Sequence, residues 1–195
     1  MVEFVRYLTH PQVRIDPSVS VPEWGLSEVG RERTQVFALH PGLMRTKRIV
    51  SSGERKAIDT AEFVAGVLGV EIEVRENMHE NDRTATGYLP APAFERTADQ
   101  FFAHPNESVD GWERAIDAQT RIVHELESVL AQDGRGDVLV IGHGGVGTLL
   151  LCHYSRVGID RRYDQPGGGG HYFTLEQPGR RVLHAWRRME DWSDD

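Results

Sequence analysis

Residues 138–145 have the sequence VLVIGHGG, which gives the clearest prediction of the fold. Four consecutive apolar residues, Val138 to Ile141, predict a strand that is buried on both faces, as in a parallel sheet covered by helices. Gly142-His143-Gly144-Gly145 follows, and an apolar helix then runs from about Val146 to Tyr154. A glycine turn that opens a helix exposes backbone amides and the positive end of the helix dipole, which suits a phosphate. The alternative is a tight strand-to-helix turn whose histidine serves as a cap.

Outward from this stretch, strand and helix signals alternate. Predicted strands are Val2 to Leu8, Lys47 to Ser51, Val70 to Val74, His171 to Leu175 and Val182 to Trp186. Predicted helices are Ser27 to Leu39, Glu54 to Leu68 and Val109 to Leu130, the last ended by Asp133-Gly134-Arg135-Gly136. This alternation predicts a single α/β domain over residues 1–195, with three α/β/α layers and a mostly parallel sheet with helices on both faces. Residues 77–105 hold three prolines and predict a surface excursion with at most one short helix, which is often a functional feature.

Composition narrows the class of protein. The chain has 195 residues and 39% hydrophobic content, which is enough for one sizeable core. A net charge of -8 argues against non-specific binding to nucleic acid or to an anionic membrane. The single cysteine, Cys152, lies in an apolar run and is interpreted as a small buried hydrophobe. With no signal-peptide core and no stretch long enough to span a bilayer, we expect a cytoplasmic protein.

Two histidines fall at strand ends. His10 ends the first predicted strand and His143 ends the most buried one. Ligands of parallel sheets bind beyond the carboxyl ends of the strands, so we expect both histidines on one rim. Arg55 lies in the first turn of the next predicted helix, where the helix dipole disfavours a cation. A bound anion explains it, and so does an ion pair with a neighbouring acid such as Asp59.

Five segments together resemble the motifs of the histidine phosphatase (phosphoglycerate mutase-like) superfamily, in order and spacing, along nearly the whole chain. They are Thr9-His10-Pro11-Gln12, Leu26-Ser27-Glu28-Val29-Gly30-Arg31, residues 51–61 (SSGERKAIDTA), Met78-His79-Glu80 and residues 138–145. The resemblance implies a phosphoglycerate mutase-like fold and a phosphatase that acts on a small phosphorylated metabolite through a phosphohistidine intermediate. It implies no metal and no cofactor. The expected partners are a small phosphorylated substrate or inorganic phosphate, with no nucleic acid and no membrane, and a homodimer stays open.

The resemblance also implies roles for single residues. His10 attacks phosphorus as a neutral imidazole. Arg55 and His143 hold the equatorial phosphate oxygens, and Gly144 and Gln12 also face the phosphate. Glu80 is the general acid for the leaving group and then the base for water. Its rivals for that role are Glu76 and Asp82.

The sequence departs from the family at the first motif. Thr9 stands where the family has an arginine, and it can donate only one neutral hydrogen bond to a phosphate. Pro11 replaces a glycine and removes a backbone amide, and Asp16 stands where the family has a phosphate-contacting asparagine.

Two explanations of these departures compete. In the first, another arginine refills the pocket, and Arg83 is favoured over Arg14 and Arg6. In the second, the chain is a catalytically impaired relative that binds a phosphorylated ligand without turnover. A plain nucleotide-binding module ranks last, because the sequence has no Gly-x-Gly-x-x-Gly and no P-loop lysine pattern.

Overall fold

The computed structural model describes residues 3–132 and 136–193. Val2, the start of the first predicted strand, and Asp133-Gly134-Arg135, at the predicted end of the long helix, lie outside the described residues. The described chain forms a single α/β domain around one sheet, which confirms the predicted fold class.

The sheet has six strands and is mostly parallel. The strands are β1 (Glu3–Thr9), β2 (Thr46–Ser52), β3 (Ile72–Arg75), β4 (Asp137–Gly142), β5 (His171–Gln177) and β6 (Arg181–Arg188). Their order is β3-β2-β4-β1-β5-β6. The first four strands are parallel, and β5 pairs antiparallel with both β1 and β6. All six residues of β4 are buried, as the run of apolar residues predicts for a strand covered on both faces.

Helices cover both faces of the sheet and complete three layers. They are α1 (Glu28–Ala38), α2 (Arg55–Leu68), α3 (Ala91–Ala103), α4 (Ala115–Leu130) and α5 (Gly144–Tyr154). One core cluster unites α1 and α2 with one face of the sheet, and a second unites α3, α4 and α5 with the other. In the described parts of the chain, no helix combines the length and the apolar character needed to cross a bilayer.

Two predicted elements differ from the structure. The long helix begins at Ala115 and not at Val109, because Asp110 and Gly111 adopt left-handed backbone conformations, with φ of 50° and 78°, that interrupt a helix. The excursion over residues 77–105 contains α3, a helix of 13 residues that is longer than expected. Phe101 and Phe102 of α3 are buried in the core, so this part of the excursion belongs to the body of the fold.

Candidate active site

The two histidines meet at the carboxyl edge of the sheet, as predicted. Strands β1 and β4 are parallel neighbours, with Thr9 opposite Gly142, so the residues that follow them emerge side by side. The His10 amide donates to the Gly142 carbonyl over 3.0 Å, and the rings of His10 and His143 lie 5.3 Å apart between centroids. The parallel register of the two strands therefore creates the pair.

His10 is held as a neutral ring with one free nitrogen. Its Nδ1 lies 2.9 Å from the Pro11 carbonyl oxygen, and because a carbonyl can only accept, Nδ1 carries the proton. Burial lowers the pKa of His10 to about 3, with additional contributions from His143 and Lys56. The partly exposed ring is therefore neutral near pH 7, and the Nε2 lone pair is left available.

His143 is buried completely and fixed on several sides. Its backbone amide donates to the Tyr7 hydroxyl over 2.9 Å, and that hydroxyl donates back to the His143 carbonyl over 3.1 Å. On the ring, Nε2 lies 2.8 Å from the Ser52 hydroxyl oxygen and 3.6 Å from Glu54 Oε1. Nδ1 has no hydrogen-bond partner among the described residues. A buried ring nitrogen in this state is a position for a ligand atom.

A carboxylate network lies behind the histidine pair. Glu54 pairs with the buried Lys56 and accepts a hydrogen bond from the Glu80 amide over 2.8 Å. Burial alone would raise the pKa of Glu54, but His143 and Lys56 together hold it well below its usual range. Across the described ranges, no group of three or more His, Cys, Asp or Glu side chains is arranged to hold a metal ion.

Glu80 occupies part of the helix N-terminus that the sequence suggests for a phosphate. Its carboxylate accepts the amides of Gly145 and Val146, over 3.0 and 2.9 Å, at the start of α5. Arg83 lies 3.5 Å away. Burial would raise the pKa of Glu80, but Arg83, His143 and the two amides of α5 lower it below its usual value. The carboxyl group is therefore ionised in the ligand-free site.

The two glycines after His143 make room for polar side chains. A Cβ on Gly145 would lie 2.7 Å from Glu80 Oε1, and a Cβ on Gly144 would lie 2.4 Å from Gln165 Nε2. Gly144 is the first residue of α5, where a backbone amide has no acceptor within the helix. The glycine pair thus keeps an amide and two polar side chains together beside His143.

Thr9, the residue in place of the family's arginine, is fully buried and fully bonded. Its hydroxyl donates to Gln165 Oε1 over 2.7 Å and accepts from the His171 amide over 3.0 Å. Because Gln165 accepts through its oxygen, its NH₂ group is the end that lies against Gly144. Thr9 therefore orients a neutral donor near the histidine pair.

The structure places the predicted cations differently from the sequence interpretation. Arg55 is more than half exposed and binds Asp59 over 2.6 Å, which is the ion pair weighed as the alternative to anion binding. Its neighbour Lys56 is the buried cation that lies close enough to His10 and His143 to lower their pKa. The structure therefore brings Lys56 to the histidines, while the Nε of Arg55 is paired with Asp59.

Three other residues that the sequence offers for the phosphate have different surroundings. Arg14 is exposed in a separate groove with Asp16, and the Gln12 amide oxygen accepts from Arg33 over 2.9 Å. Arg6 is buried in an ion pair with Asp137. Of the arginines considered as replacements, Arg83 is the one that the structure brings to the site.

Sequence reasoning missed Lys56, Glu54 and Gln165. A signal for Lys56 was present, because it shares a helical face with Thr60 and Val64, and a lysine on a buried face needs a partner such as Glu54. No local signal identifies Gln165, since its contact with Thr9 joins residues 156 positions apart.

With the fold and the histidine pair established, comparison with known proteins gives the family. The model of the histidine phosphatase superfamily (branch 1) matches residues 15–188, so the chain belongs to that superfamily. The matched segment begins after His10, and the altered first motif lies outside it.

Solved structures share the fold over nearly the whole chain. YhfR of Bacillus stearothermophilus superposes with a TM-score of 0.80 at 20% identity, over 98% of each chain. A mycobacterial glucosyl-3-phosphoglycerate phosphatase gives 0.77 at 19%, over 96% of this chain and 97% of that one. A phosphoserine phosphatase of Entamoeba histolytica, in complex with 3-phosphoglyceric acid, gives 0.75 at 13%, over 95% and 96%. No curated protein matches the sequence. At these identities the likeness shows the fold alone.

Proposed function

We propose that the chain is a phosphomonoesterase that transfers the phosphoryl group of a small phosphorylated metabolite to His10 Nε2 and then to water. One observation carries this proposal. His10 is partly exposed, is neutral with a pKa of about 3, and is fixed in the tautomer that leaves Nε2 unprotonated. A nucleophile needs that lone pair.

Lys56 is the cation for the phosphate in this scheme. Two of its three ammonium donors are used, one by Glu54 and one by the Val21 carbonyl over 2.9 Å. The remaining N–H donor is available to a phosphate oxygen beside His10, while the positive charge of Lys56 is shared with Glu54. Arg55, paired with Asp59 at the surface, has no part in it.

Three neutral groups complete the phosphate site. They are the unpartnered Nδ1 of His143, the first amide of α5 at Gly144, and the Gln165 amide group that Thr9 orients. Donors fixed around the equatorial oxygens stabilise charge in the transition state without reorganising. This set takes over from the arginine that the first motif lacks.

Glu80 is the general acid and base that transfers the proton in both steps. It is ionised in the free protein, but a phosphate dianion bound beside it would raise its pKa, so that it can carry a proton to the leaving oxygen. As the bond between phosphorus and the ester oxygen breaks, the bond to His10 Nε2 forms, and the alcohol leaves with the proton of Glu80. Glu80 then takes a proton from the water that attacks the phosphohistidine, the bond between phosphorus and His10 Nε2 breaks, and inorganic phosphate leaves with the Nε2 lone pair restored. Glu76 and Asp82, the rivals of Glu80, are exposed.

The scheme needs no metal ion, and it is tested by release of phosphate from 4-nitrophenyl phosphate in the presence of a chelator. Wild type should turn over, and His10→Ala should lose at least about a thousandfold in kcat. Equal rates for the two proteins would refute the enzyme and favour the relative that binds a phosphorylated ligand without turnover. A rate that depends on added metal would refute the metal-independent scheme alone.

A further inference from the structure

The cleft beside the histidine pair has a volume of about 870 Å³. Glu54 and Glu80, which contact or neighbour His143, form one part of its lining. Trp24, Tyr88 and Phe94 also line it, and the rings of Trp24 and Tyr88 lie 5.5 Å apart between centroids. Neither histidine of the pair lines the cleft, but Glu54 lies 3.6 Å from His143, so a leaving group that extends from a phosphate at His10 towards Glu54 would enter it between carboxylates and aromatic rings.

The charges of the cleft are unfavourable to a carboxylate. Glu54 and Glu80 have cationic partners, Lys56 and Arg83. Glu76 and Asp82 also line the cleft, and neither has an ion pair within the described residues. A carboxylate on the leaving group would meet two negative charges that no ion pair neutralises.

Arg83 cannot serve as the missing cation for such a group. It is the one arginine or lysine among the lining residues of the cleft, all of which are described. Its guanidinium lies 3.5 Å from Glu80 and stacks on Phe94 and Trp112, with distances of 5.2 and 5.4 Å to the ring centroids. Its charge is already engaged.

One buried donor in the cleft lacks a partner. Asn81 is 5% exposed, lines the cleft, and has no hydrogen-bond partner for Nδ2 among the described residues. Its side chain packs on the start of α5, where a Cβ on Gly145 would lie 3.1 Å from Asn81 Oδ1. A buried N–H without an acceptor is costly, so an oxygen of a bound ligand would stabilise it.

From these contacts we infer that the substrate is a phosphomonoester of an uncharged, hydroxyl-bearing alcohol with one apolar face. The hydroxyl oxygens accept from Asn81, the apolar face packs on Trp24 and Tyr88, and a carboxylate at that position is rejected by Glu76 and Asp82. The inference rests on the proposed phosphatase function, and it excludes phosphoglycerates as good substrates.

The test compares glycerol 3-phosphate with 3-phosphoglycerate, which differ only in a CH₂OH group against a carboxylate. Glycerol 3-phosphate should have a kcat/KM at least about tenfold higher, and a correspondingly lower inhibition constant against 4-nitrophenyl phosphate. Equal values, a preference for 3-phosphoglycerate, or no binding of either compound would overturn the inference.

Failure of the proposed phosphatase function can be distinguished from failure of the selectivity inference. If 4-nitrophenyl phosphate is not hydrolysed, the same two compounds are compared as ligands by titration calorimetry. The selectivity inference still predicts about a tenfold difference in Kd under those conditions, whereas the phosphatase proposal has then failed by itself.

Variants of the cleft identify the residues that determine the preference for glycerol 3-phosphate. Glu76→Gln with Asp82→Asn should bring the ratio of kcat/KM for the two compounds close to one, by improving 3-phosphoglycerate. Asn81→Leu should raise the KM of glycerol 3-phosphate about tenfold relative to the inhibition constant of inorganic phosphate, which has no leaving group.

Asn77→Leu is the matched control for Asn81→Leu, because Asn77 also lines the cleft but donates to Glu125 over 3.3 Å. It should leave the KM ratio unchanged. Asn81→Asp, which keeps the shape and removes the donor, covers the case in which the leucine variant unfolds. An unchanged ratio in a folded Asn81→Asp protein contradicts the role of Asn81.

Discussion

The ends of β1 and β4 carry the same side chain in opposite surroundings. His10 is partly exposed, and its ring has one hydrogen bond, to the Pro11 carbonyl. His143 is fully buried and bound to Tyr7 and Ser52. Two of the departures from the family motif, Thr9 and Pro11, flank the accessible ring, whereas the Gly-His-Gly-Gly segment is intact. One ring is therefore reachable from solvent, and the other is fixed by its neighbours; in the proposed function the first reacts and the second holds the phosphate.

Replacing each histidine in turn should separate these roles. We expect His10→Asn and His143→Asn each to lower kcat by about a thousandfold, because one removes the nucleophile and the other a ligand of the phosphate. Only His143→Asn should also lower the free energy of unfolding, by about 1–3 kcal/mol, since it disturbs buried hydrogen bonds. Urea titration and aryl phosphate hydrolysis measure the two effects. Equal losses of stability in the two variants would contradict the contrast between His10 and His143.

Lys56 and Arg55 offer a sharper comparison within one helical turn. Lys56→Gln should lower kcat/KM by about a hundredfold through loss of a charged phosphate contact, whereas Arg55→Gln should stay within about twofold. Lys56→Arg should recover most of the activity, because it keeps the charge beside Glu54. Inhibition by inorganic phosphate, measured on folded protein, reports the binding part. A larger loss from Arg55→Gln would restore the original assignment of Arg55 as the phosphate ligand.

Thr9 and Gln165 should matter less, since each contributes a neutral bond. Thr9→Val, which keeps the shape and removes the hydroxyl, and Gln165→Leu should each raise the inhibition constant of phosphate by about tenfold. The double variant should raise the inhibition constant little more than either single substitution does, because both substitutions remove the same hydrogen-bonded pair. Fully additive effects in a double-mutant cycle would show that Thr9 does not act through Gln165.

Introducing the family's arginine tests whether the pocket is already filled. Thr9 is fully buried between Gln165 and His171, so Thr9→Arg should lower activity and stability. Arg83→Ala should cost about tenfold in kcat/KM by removing the partner of Glu80, and Arg14→Ala, in its separate exposed groove, should change it less than twofold. A gain of phosphate affinity and turnover in Thr9→Arg would refute the refilled pocket.

Protonation of His10 gives the smallest effect. Its folded pKa of about 3 lies below the unfolded value of 6.5, so the unfolded chain binds more protons between those values. Stability should therefore fall as the pH drops from 6.5 towards 3, and His10→Asn should lose about 1 kcal/mol less than wild type between pH 6.5 and 5.5. NMR titration of the ring checks the cause directly. A His10 midpoint near 6.5 would show that the ring is not held neutral.

The sequence predicts the layers of the fold and the histidine pair because both depend on local signals. An apolar run and a glycine turn locate β4 and His143, and the parallel strands then bring His10 beside it. The predicted start of α4 was wrong because the left-handed turn at Asp110 is set by tertiary packing and not by helix propensity. The excursion contributes α3 to the core for the same reason.

The charged groups of the site were harder to predict, because they depend on contacts between distant segments. Glu80 reaches the amides of α5 across 65 residues. Which of Arg55 and Lys56 turns inward depends on Asp59, whose buried carboxylate binds both Arg55 and the Leu26 amide. A motif specifies residue types along the chain, whereas the direction of each side chain follows from packing.

Trapping of the phosphohistidine intermediate tests the assignment of His10 as the nucleophile most directly. Wild-type protein mixed with 4-nitrophenyl phosphate, quenched in alkali and examined by mass spectrometry, should carry one phosphoryl group on His10. His10→Asn should carry none, and His143→Asn, with the nucleophile intact, should carry it only on His10. Turnover without a labelled histidine, or a phosphoryl group on another residue, would contradict the assignment of His10 as the nucleophile.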